Sequence, residues 1–240
     1  MTKNALNQNA KLIQELVDYI EPDFNFNSEP LNRYDIIKNE KESIFKDKSY
    51  QILNLKEKIN SIKNCNLKGL SKNPIIGDGD INSPLMIIGE NPGRDEEELN
   101  KSFQGEVGEL LNKMLQAIHI KREKVYTTYS VNLRTPEDRK PTSQEIRRYS
   151  AFLKEHILII NPKILILLGG TAMEAVTGSN YKVSDERGKW KEIILKGQTF
   201  PLIVTYSPSY LIRFPENKRS SWEDLKKIRQ KIKDLNITIT

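Results

Sequence analysis

The sequence predicts a three-layer α/β/α sandwich around a central, mainly parallel four-stranded sheet. Short apolar runs alternate along the chain with segments of helical periodicity. Several runs are apolar at consecutive positions, which is typical of strands that are buried on both faces. Such strands, joined by helices, indicate a parallel sheet with a helical layer on each side. The four predicted strands are "PLMIIG", "KVYTTYSVNL", "KILILLG" and "FPLIVTYS".

The helices of this domain are predicted from apolar residues that recur at helical spacing. The segment "TSQEIRRYSAFLKEHILII" is the longest, and Thr142 or Ser143 is its expected N-cap. The other predicted helices are residues 49–62, "GEVGELLNKMLQAI", "GTAMEAV" and "KRSSWEDLKKIRQKIKDL".

The domain organisation follows from a change in composition near residue 48. A helical pattern over residues 8–20 is followed by "EPDFNFNSEPLNRYD", which is rich in Pro and Asn and reads as a linker. We therefore expect an N-terminal helical extension and linker over residues 1–48. Residues 49–240 are expected to form the α/β domain.

Composition excludes several classes of protein. Hydrophobic residues make up 37% and charged residues 29% of the 240 positions, as in globular domains. No apolar run approaches the roughly 20 residues that a membrane span needs, and the N-terminus lacks a signal-peptide pattern. We expect a cytoplasmic monomer with no membrane partner.

The chain is basic, with a formal net charge of +6. Residues 119–148 and residues 211–240 each carry eight Lys or Arg against four Asp or Glu. If both segments share one face, that face favours a polyanion such as nucleic acid. Solvated surface lysines explain the charge equally well.

Three loops are the candidate binding regions, because ligands of open α/β sheets bind beyond the carboxyl ends of the strands. These loops follow Ile88, Leu133 and Thr205. Their sequences are "GENPGRDEEELNKSFQGEVGELL", "VYTTYSVNLRTPEDRKPTSQEI" and "TYSPSYLIR".

Read together, the loops resemble the uracil-DNA glycosylase superfamily, and most closely its family 4, the iron–sulfur type. The likeness extends from about Cys65 to Leu225. It is carried by six motifs in the same order: "NPIIGDGD", Gly-Glu-x-Pro-Gly, Phe103–Leu111, Arg134–Pro141, Pro162–Gly169 and Pro208–Arg213.

The resemblance implies base excision repair of DNA, in which an unwanted base is everted and its bond to deoxyribose is cut. Negative charge builds on the departing base, and backbone N–H groups at a Gly-rich turn can receive it. Gly89 and Gly93 allow a close approach of the chain to the base. Phe103 is implied to stack on the base; the alternative is that it packs in the core under the loop.

Three residues are implied to carry the chemistry. Glu90 and Asn91 follow the first strand where the family positions the attacking water, and Asn91 resembles the mismatch-specific branch of the superfamily. Asn91 could instead simply favour the turn before Pro92. Ser207 stands where family members carry the His that donates to the leaving base, and a serine cannot carry its positive charge.

The segment "SPSYLIR" resembles the family's loop that enters the minor groove. Pro208 and Ser209 are implied to contact phosphates, while Tyr210 and Leu211 fill the gap left by the everted nucleotide. Further phosphate contacts are expected from Arg134, Arg139, Lys140 and Arg213. We expect the acidic string at residues 95–98 to be a solvated turn or helix start.

The chain departs from family 4 at two further sites. The Asn that reads the uracil edge is replaced by Tyr129, and Asn132, three residues on, reaches the base only through a bulge. The four cluster ligands fall at Ile62, Cys65, Leu133 and Tyr149, of which only Cys65 is a cysteine. One thiolate cannot hold a 4Fe-4S cluster, so we predict no cofactor and no metal.

The leading hypothesis is therefore a glycosylase acting on uracil or a related deaminated base in DNA. The alternative is a catalytically weak or inactive DNA-binding member of the superfamily, which the loss of the motif His and Asn favours. A nucleotide-binding enzyme of another class is disfavoured, because "LLGGTA" lacks the G-x-G-x-x-G pattern.

Overall fold

The computed structural model describes residues 47–62, 65, 67–69 and 73–239. In these residues the strands are β1 Leu85–Gly89, β2 Tyr126–Tyr129, β3 Ile164–Leu168, β4 Trp190–Leu195 and β5 Gln198–Thr205. The α-helices are α1 Lys48–Asn60, α2 Arg94–Leu99, α3 Gly105–Ala117, α4 Ser143–Ile160, α5 Gly170–Thr177, α6 Val183–Glu186, α7 Pro208–Arg213 and α8 Lys218–Asp234.

The sheet has the strand order β2-β1-β3-β5-β4. β2, β1, β3 and β5 are parallel to their neighbours, whereas β4 is an antiparallel edge strand paired with β5. The predicted α/β/α sandwich is confirmed, but the sheet has five strands rather than four. β4 joins β5 through Lys196 and Gly197, which both have positive φ, as a two-residue hairpin turn requires.

The two faces of the sheet feed two separate apolar cores, because side chains alternate along each strand. Met86 and Ile88 point into the core that is covered by α1, α4 and α5. Leu85 and Ile87 point into the core that is covered by α3, α7 and α8. β1 and β3 are therefore apolar along their whole length, which is the pattern that made them predictable.

The parallel register brings the carboxyl ends of four strands to one edge of the sheet. Gly89 pairs with Tyr129, and Leu168 pairs with Thr205. β2 ends at Tyr129 rather than continuing to Leu133. The segments that follow β1, β2, β3 and β5 consequently begin side by side.

Two predictions about helices have different outcomes. α4 begins with Thr142 as its N-cap, and Thr142 and Glu145 bond each other's backbone N–H groups in a capping box. The predicted loop "SPSYLIR" is instead the short helix α7, because Ser207 caps it and Pro208 occupies its first position.

The predicted N-terminal extension, including its helix over residues 8–20, lies outside the described residues. None of the helices in the described part of the chain combines the length and the apolar character needed to cross a bilayer.

A buried ion pair fixes α8 to the end of β5. Asp224 is 0% exposed and lies 2.7 Å from Arg187 Nη2, while Thr205 Oγ1 donates to its other oxygen at 2.7 Å. Burial raises the pKa of Asp224, and the bonds from Thr205 and Arg187 oppose that rise. Thr205 is the last residue of β5, so this pair holds the strand end that leads into Ser207.

We expect Asp224→Ala to lower the free energy of unfolding by about 3–5 kcal/mol, because the substitution leaves Arg187 partly buried without its partner. Urea titration measures this change. Asp234→Ala, at the exposed end of the same helix, is the matched control and should change stability by less than about 0.5 kcal/mol. Equal effects of the two substitutions would contradict a structural role for the pair.

Candidate functional site

A cavity of about 460 Å³ opens at the carboxyl ends of the parallel strands. The structure gathers most of the residues predicted from sequence around it, from three separate chain segments. The predicted site residues that line this first cavity are Gly89, Glu90, Asn91, Phe103, Arg139, Lys140, Ser207, Pro208, Ser209 and Arg213.

Glu90 lies between β1 and the start of α5. Its Oε1 accepts the N–H of Thr171 at 3.3 Å, and its Oε2 accepts the hydroxyl of Ser207 at 3.4 Å. The partial positive charge at the N-terminus of α5 stabilises the Glu90 carboxylate. Gly169 permits this packing, because a Cβ at that position would lie 2.7 Å from the Glu90 carboxyl carbon.

The Asn91 side chain is held in one orientation at the cavity wall. Its Nδ2 donates to Thr135 Oγ1 and to the carbonyl of Pro92, both at 3.2 Å. Because both bonds use the amide nitrogen, the side-chain oxygen is the group left to accept a bond from a ligand or water.

Ser207 has two roles in the structure. Its Oγ accepts the N–H of Tyr210 at 3.3 Å, which caps α7, and the same hydroxyl donates to Glu90. It also lies 3.1 Å from Ser209 Oγ. The hydroxyl therefore links the third predicted loop to the first.

The aromatic pair of Phe103 and Tyr129 forms part of the cavity wall. Their ring centroids are 4.9 Å apart at 26°, and Tyr129 Oη accepts the N–H of Phe103 at 2.8 Å. A Cβ at Gly89 would lie 2.7 Å from the Phe103 ring and 2.9 Å from the Tyr129 ring. Phe103 thus packs in the core and lines the cavity at the same time.

Glu96 is a site residue that the sequence reasoning missed. It was expected to lie in a solvated acidic string, and α2 does begin at Arg94, but Glu96 is 5% exposed and lines the cavity. Its carboxylate accepts the N–H groups of Gly93 at 2.9 Å and of Gln104 at 3.1 Å. Glu96 therefore ties the turn after β1 to the segment that carries Phe103.

These bonds also affect the donors that were expected at the Gly-rich turn. The Gly93 N–H is already used by Glu96 and is not directed at a ligand.

Burial raises the pKa of Tyr129 well above its usual value, and the nearby Glu96 raises it further. Tyr129 consequently remains a neutral phenol at the cavity wall.

Asn132 and Arg134, which were predicted to contact the base and the DNA, do not line the first cavity. Asn132 is buried, and its amide donates to the Ile75 carbonyl at 2.9 Å instead of entering through a bulge. Arg134 pairs with Asp138 and Glu97 rather than projecting from the surface. Both side chains hold the segment after β2 in place.

Tyr210 and Leu211, the two residues predicted to fill the gap left by the everted nucleotide, are packed within and around α7. Leu211 is 1% exposed and belongs to the core under α7. Tyr210 stacks on Tyr206 at 15° and packs at a tilt of 37° against Phe214, with 4.8 Å between ring centroids in each pair. Leu211 is therefore not exposed as a wedge in this conformation, whereas the part-exposed Tyr210 stays a predicted DNA contact.

The cations at the cavity differ in what they contact. Arg139 forms two bonds to Glu145, which lower the pKa of Glu145 to about 2. Lys140 and Arg213 have no ion-pair partner within the described ranges. These two residues are therefore the cations best placed to meet an anionic ligand.

The fold and the site define a class of protein: an α/β/α domain in which a carboxylate, an amide and an aromatic ring face one cavity. The sequence profile of the uracil DNA glycosylase superfamily matches residues 76–226 of the chain. The chain belongs to this superfamily.

Curated relatives agree with this membership. The chain is 33% identical to a type-4 uracil-DNA glycosylase of Thermotoga maritima over 74% of this chain and 92% of the relative. It is 33% identical to the type-4 uracil-DNA glycosylase of Sulfurisphaera tokodaii, over 73% and 82% respectively.

The prediction that the protein has no cofactor is wrong by this comparison, because its relatives are named as members of type 4, the iron–sulfur branch. The four ligand positions nevertheless carry residues that do not fit a cluster of this type. Ile62, Cys65, Leu133 and Tyr149 share one apolar cluster, with Cys65 Sγ 3.5 Å from Tyr149 Oη. In the part of the chain that the structure describes, no group of three or more His, Cys, Asp or Glu could hold a metal ion.

We expect Gly89→Ala to displace the Phe103–Tyr129 pair and to cost about 1–3 kcal/mol of stability, because the new methyl group overpacks both rings. Near-ultraviolet circular dichroism and urea unfolding measure the two effects. Gly69→Ala is the control, since a Cβ there meets nothing within 4 Å. An unchanged aromatic spectrum in Gly89→Ala would contradict this packing.

Proposed function

We propose that this protein is a DNA-repair glycosylase that hydrolyses the N-glycosidic bond of uracil, or of a related deaminated base, and leaves an abasic site. The observation that carries the proposal is the convergence of Glu90, Asn91, Phe103 and Ser207 on one cavity. The names of the type-4 relatives support uracil in DNA as the substrate.

The base is bound outside the DNA helix, because a base within the stack cannot enter a cavity in the protein. Phe103 and Tyr129, whose rings stack on each other, both line this cavity. Aromatic stacking fixes the plane of the base without selecting one base over another.

The attacking water is held by the Asn91 carbonyl oxygen and the Glu90 carboxylate. Its oxygen forms the new bond to C1′ of the sugar as the C1′–N bond breaks, and the base retains the electron pair. The water's proton passes to Glu90. A carboxylate near the cationic sugar also stabilises the charge that develops there.

Ser207 is the proposed donor to the departing base, because it lines the cavity at the position where the family carries its histidine. Its hydroxyl donates to Glu90 before substrate binds, and turning towards the base would stabilise the leaving anion by one neutral hydrogen bond. Hydrogen bonds from charged donors are about twice as strong. The chemistry is therefore expected to be slower than with a histidine at this position.

This last observation favours a second candidate, a DNA-binding member with weak or no activity. In that case the cavity still receives an everted base, but the base is not released. The two candidates share their binding surface and differ only in turnover.

We expect the protein to release uracil from single- or double-stranded oligonucleotides, detected as strand cleavage after alkali. Oligonucleotides with hypoxanthine or xanthine test the related lesions. Asn91→Ala should reduce the rate by about 10²- to 10⁴-fold, the range for removing a positioned catalytic group. Asn82→Ala, at an exposed turn, is the matched control. Binding without any cleavage by the unmodified protein would favour the second candidate.

Ser207→His should increase uracil release by about tenfold or more, because an imidazolium can donate to the leaving anion as a cation. Ser207→Ala should reduce it. Single-turnover rates at saturating enzyme separate these effects from binding. A Ser207→His protein that folds normally and is no faster would contradict the proposed donor role.

A further inference from the structure

A second cavity of about 490 Å³ lies next to the first and is not used by the chemistry above. Glu90, Lys140, Ser207 and Arg213 line both cavities. Because they share these four residues, the two cavities adjoin each other.

The second cavity is lined by tyrosines, and they differ in what their rings contact. Tyr206 and Tyr210 stack on each other at 15°, and Arg187 lies 5.6 Å from the centre of the Tyr206 ring. These two rings form a fixed wall. Tyr181 is 63% exposed and stacks on no other ring of the described residues, so its faces are open to a ligand.

Cations accompany these rings. Lys140, Lys182 and Arg213 line the cavity, and none of them forms an ion pair with another described residue. Two carboxylates, Glu90 and Glu174, also line it. The combination of an open aromatic face with cations that lack partners is typical of sites for unpaired nucleic acid, in which bases stack and phosphates are neutralised.

We propose that the second cavity binds an unpaired base next to the everted nucleotide on the same DNA strand. This base stacks on Tyr181, and its phosphates lie near Lys182 and Arg213. The inference rests on the proposed function, since the everted nucleotide sets where the strand lies. It assigns to the protein a preference for DNA whose flank is single-stranded.

The test uses single-stranded oligonucleotides that contain an uncleavable abasic analogue with 2-aminopurine on one side of it. Stacking on a tyrosine quenches 2-aminopurine, so quenching is expected on binding when the probe is on the side that enters the second cavity. Tyr181→Ala should abolish this quenching and weaken binding by about tenfold. Tyr181→Phe should retain both properties.

Tyr50→Ala is the matched control, because Tyr50 is also an exposed tyrosine, at 38%, and lines neither cavity. It should bind as the unmodified protein does. With the same oligonucleotide in a duplex, the affinities of the unmodified protein and of Tyr181→Ala should differ less, since the flanking base is paired.

Three results would overturn the inference. The first is no quenching with the probe at either position, and the second is an affinity of Tyr181→Ala equal to that of the unmodified protein. The third is a free deoxynucleoside monophosphate that binds as tightly as the oligonucleotide does. The failure of the proposed function is a separate result. A protein that quenches through Tyr181 but releases no uracil would have lost its chemistry and retained this subsite. If the unmodified protein releases uracil without quenching 2-aminopurine, and Tyr181→Ala releases it at the same rate, the function is retained and the subsite is refuted.

Discussion

Close packing at two glycines is the constraint on which the candidate site depends. Gly89 ends β1 and lies against the rings of Phe103 and Tyr129, and Gly169 follows β3 and lies against the carboxyl group of Glu90. Gly169 has a φ of 95°, which side-chain-bearing residues rarely adopt. Without a side chain at either position, two neighbouring strand ends can bring an aromatic ring and a carboxylate to the same cavity.

Hydrogen bonds between loops then fix what the glycines permit. Glu96 joins the turn after β1 to the Phe103 segment, Thr171 and Ser207 hold Glu90, and Thr135 holds Asn91. The bonds of Thr171, Ser207 and Thr135 each cross from one loop to another, whereas the bonds of Glu96 tie the first loop to itself. The cavity is therefore shaped before a ligand arrives, which lowers the conformational cost of binding.

The sequence predicted the layered fold, because β1 and β3 are apolar at every position and β2 and β5 are rich in β-branched and aromatic residues. It did not predict β4, whose residues are half exposed and lie at an edge; "WKEIIL" followed by Lys-Gly was the available signal. It also missed the burial of Glu96 and Leu211. Helix periodicity could not reveal these, because α2 and α7 are only six residues long and their contacts come from distant segments.

The bonds of Ser207 to Tyr210 and to Glu90 have an evolutionary consequence. One hydroxyl caps α7 and also contacts Glu90, so natural selection cannot adjust the local fold and the reaction independently at this position. A lineage that acquires a stronger donor here must also compensate for a poorer helix start. Substitutions near residues 208–210 would then be expected to accompany such a change among descendants of this protein.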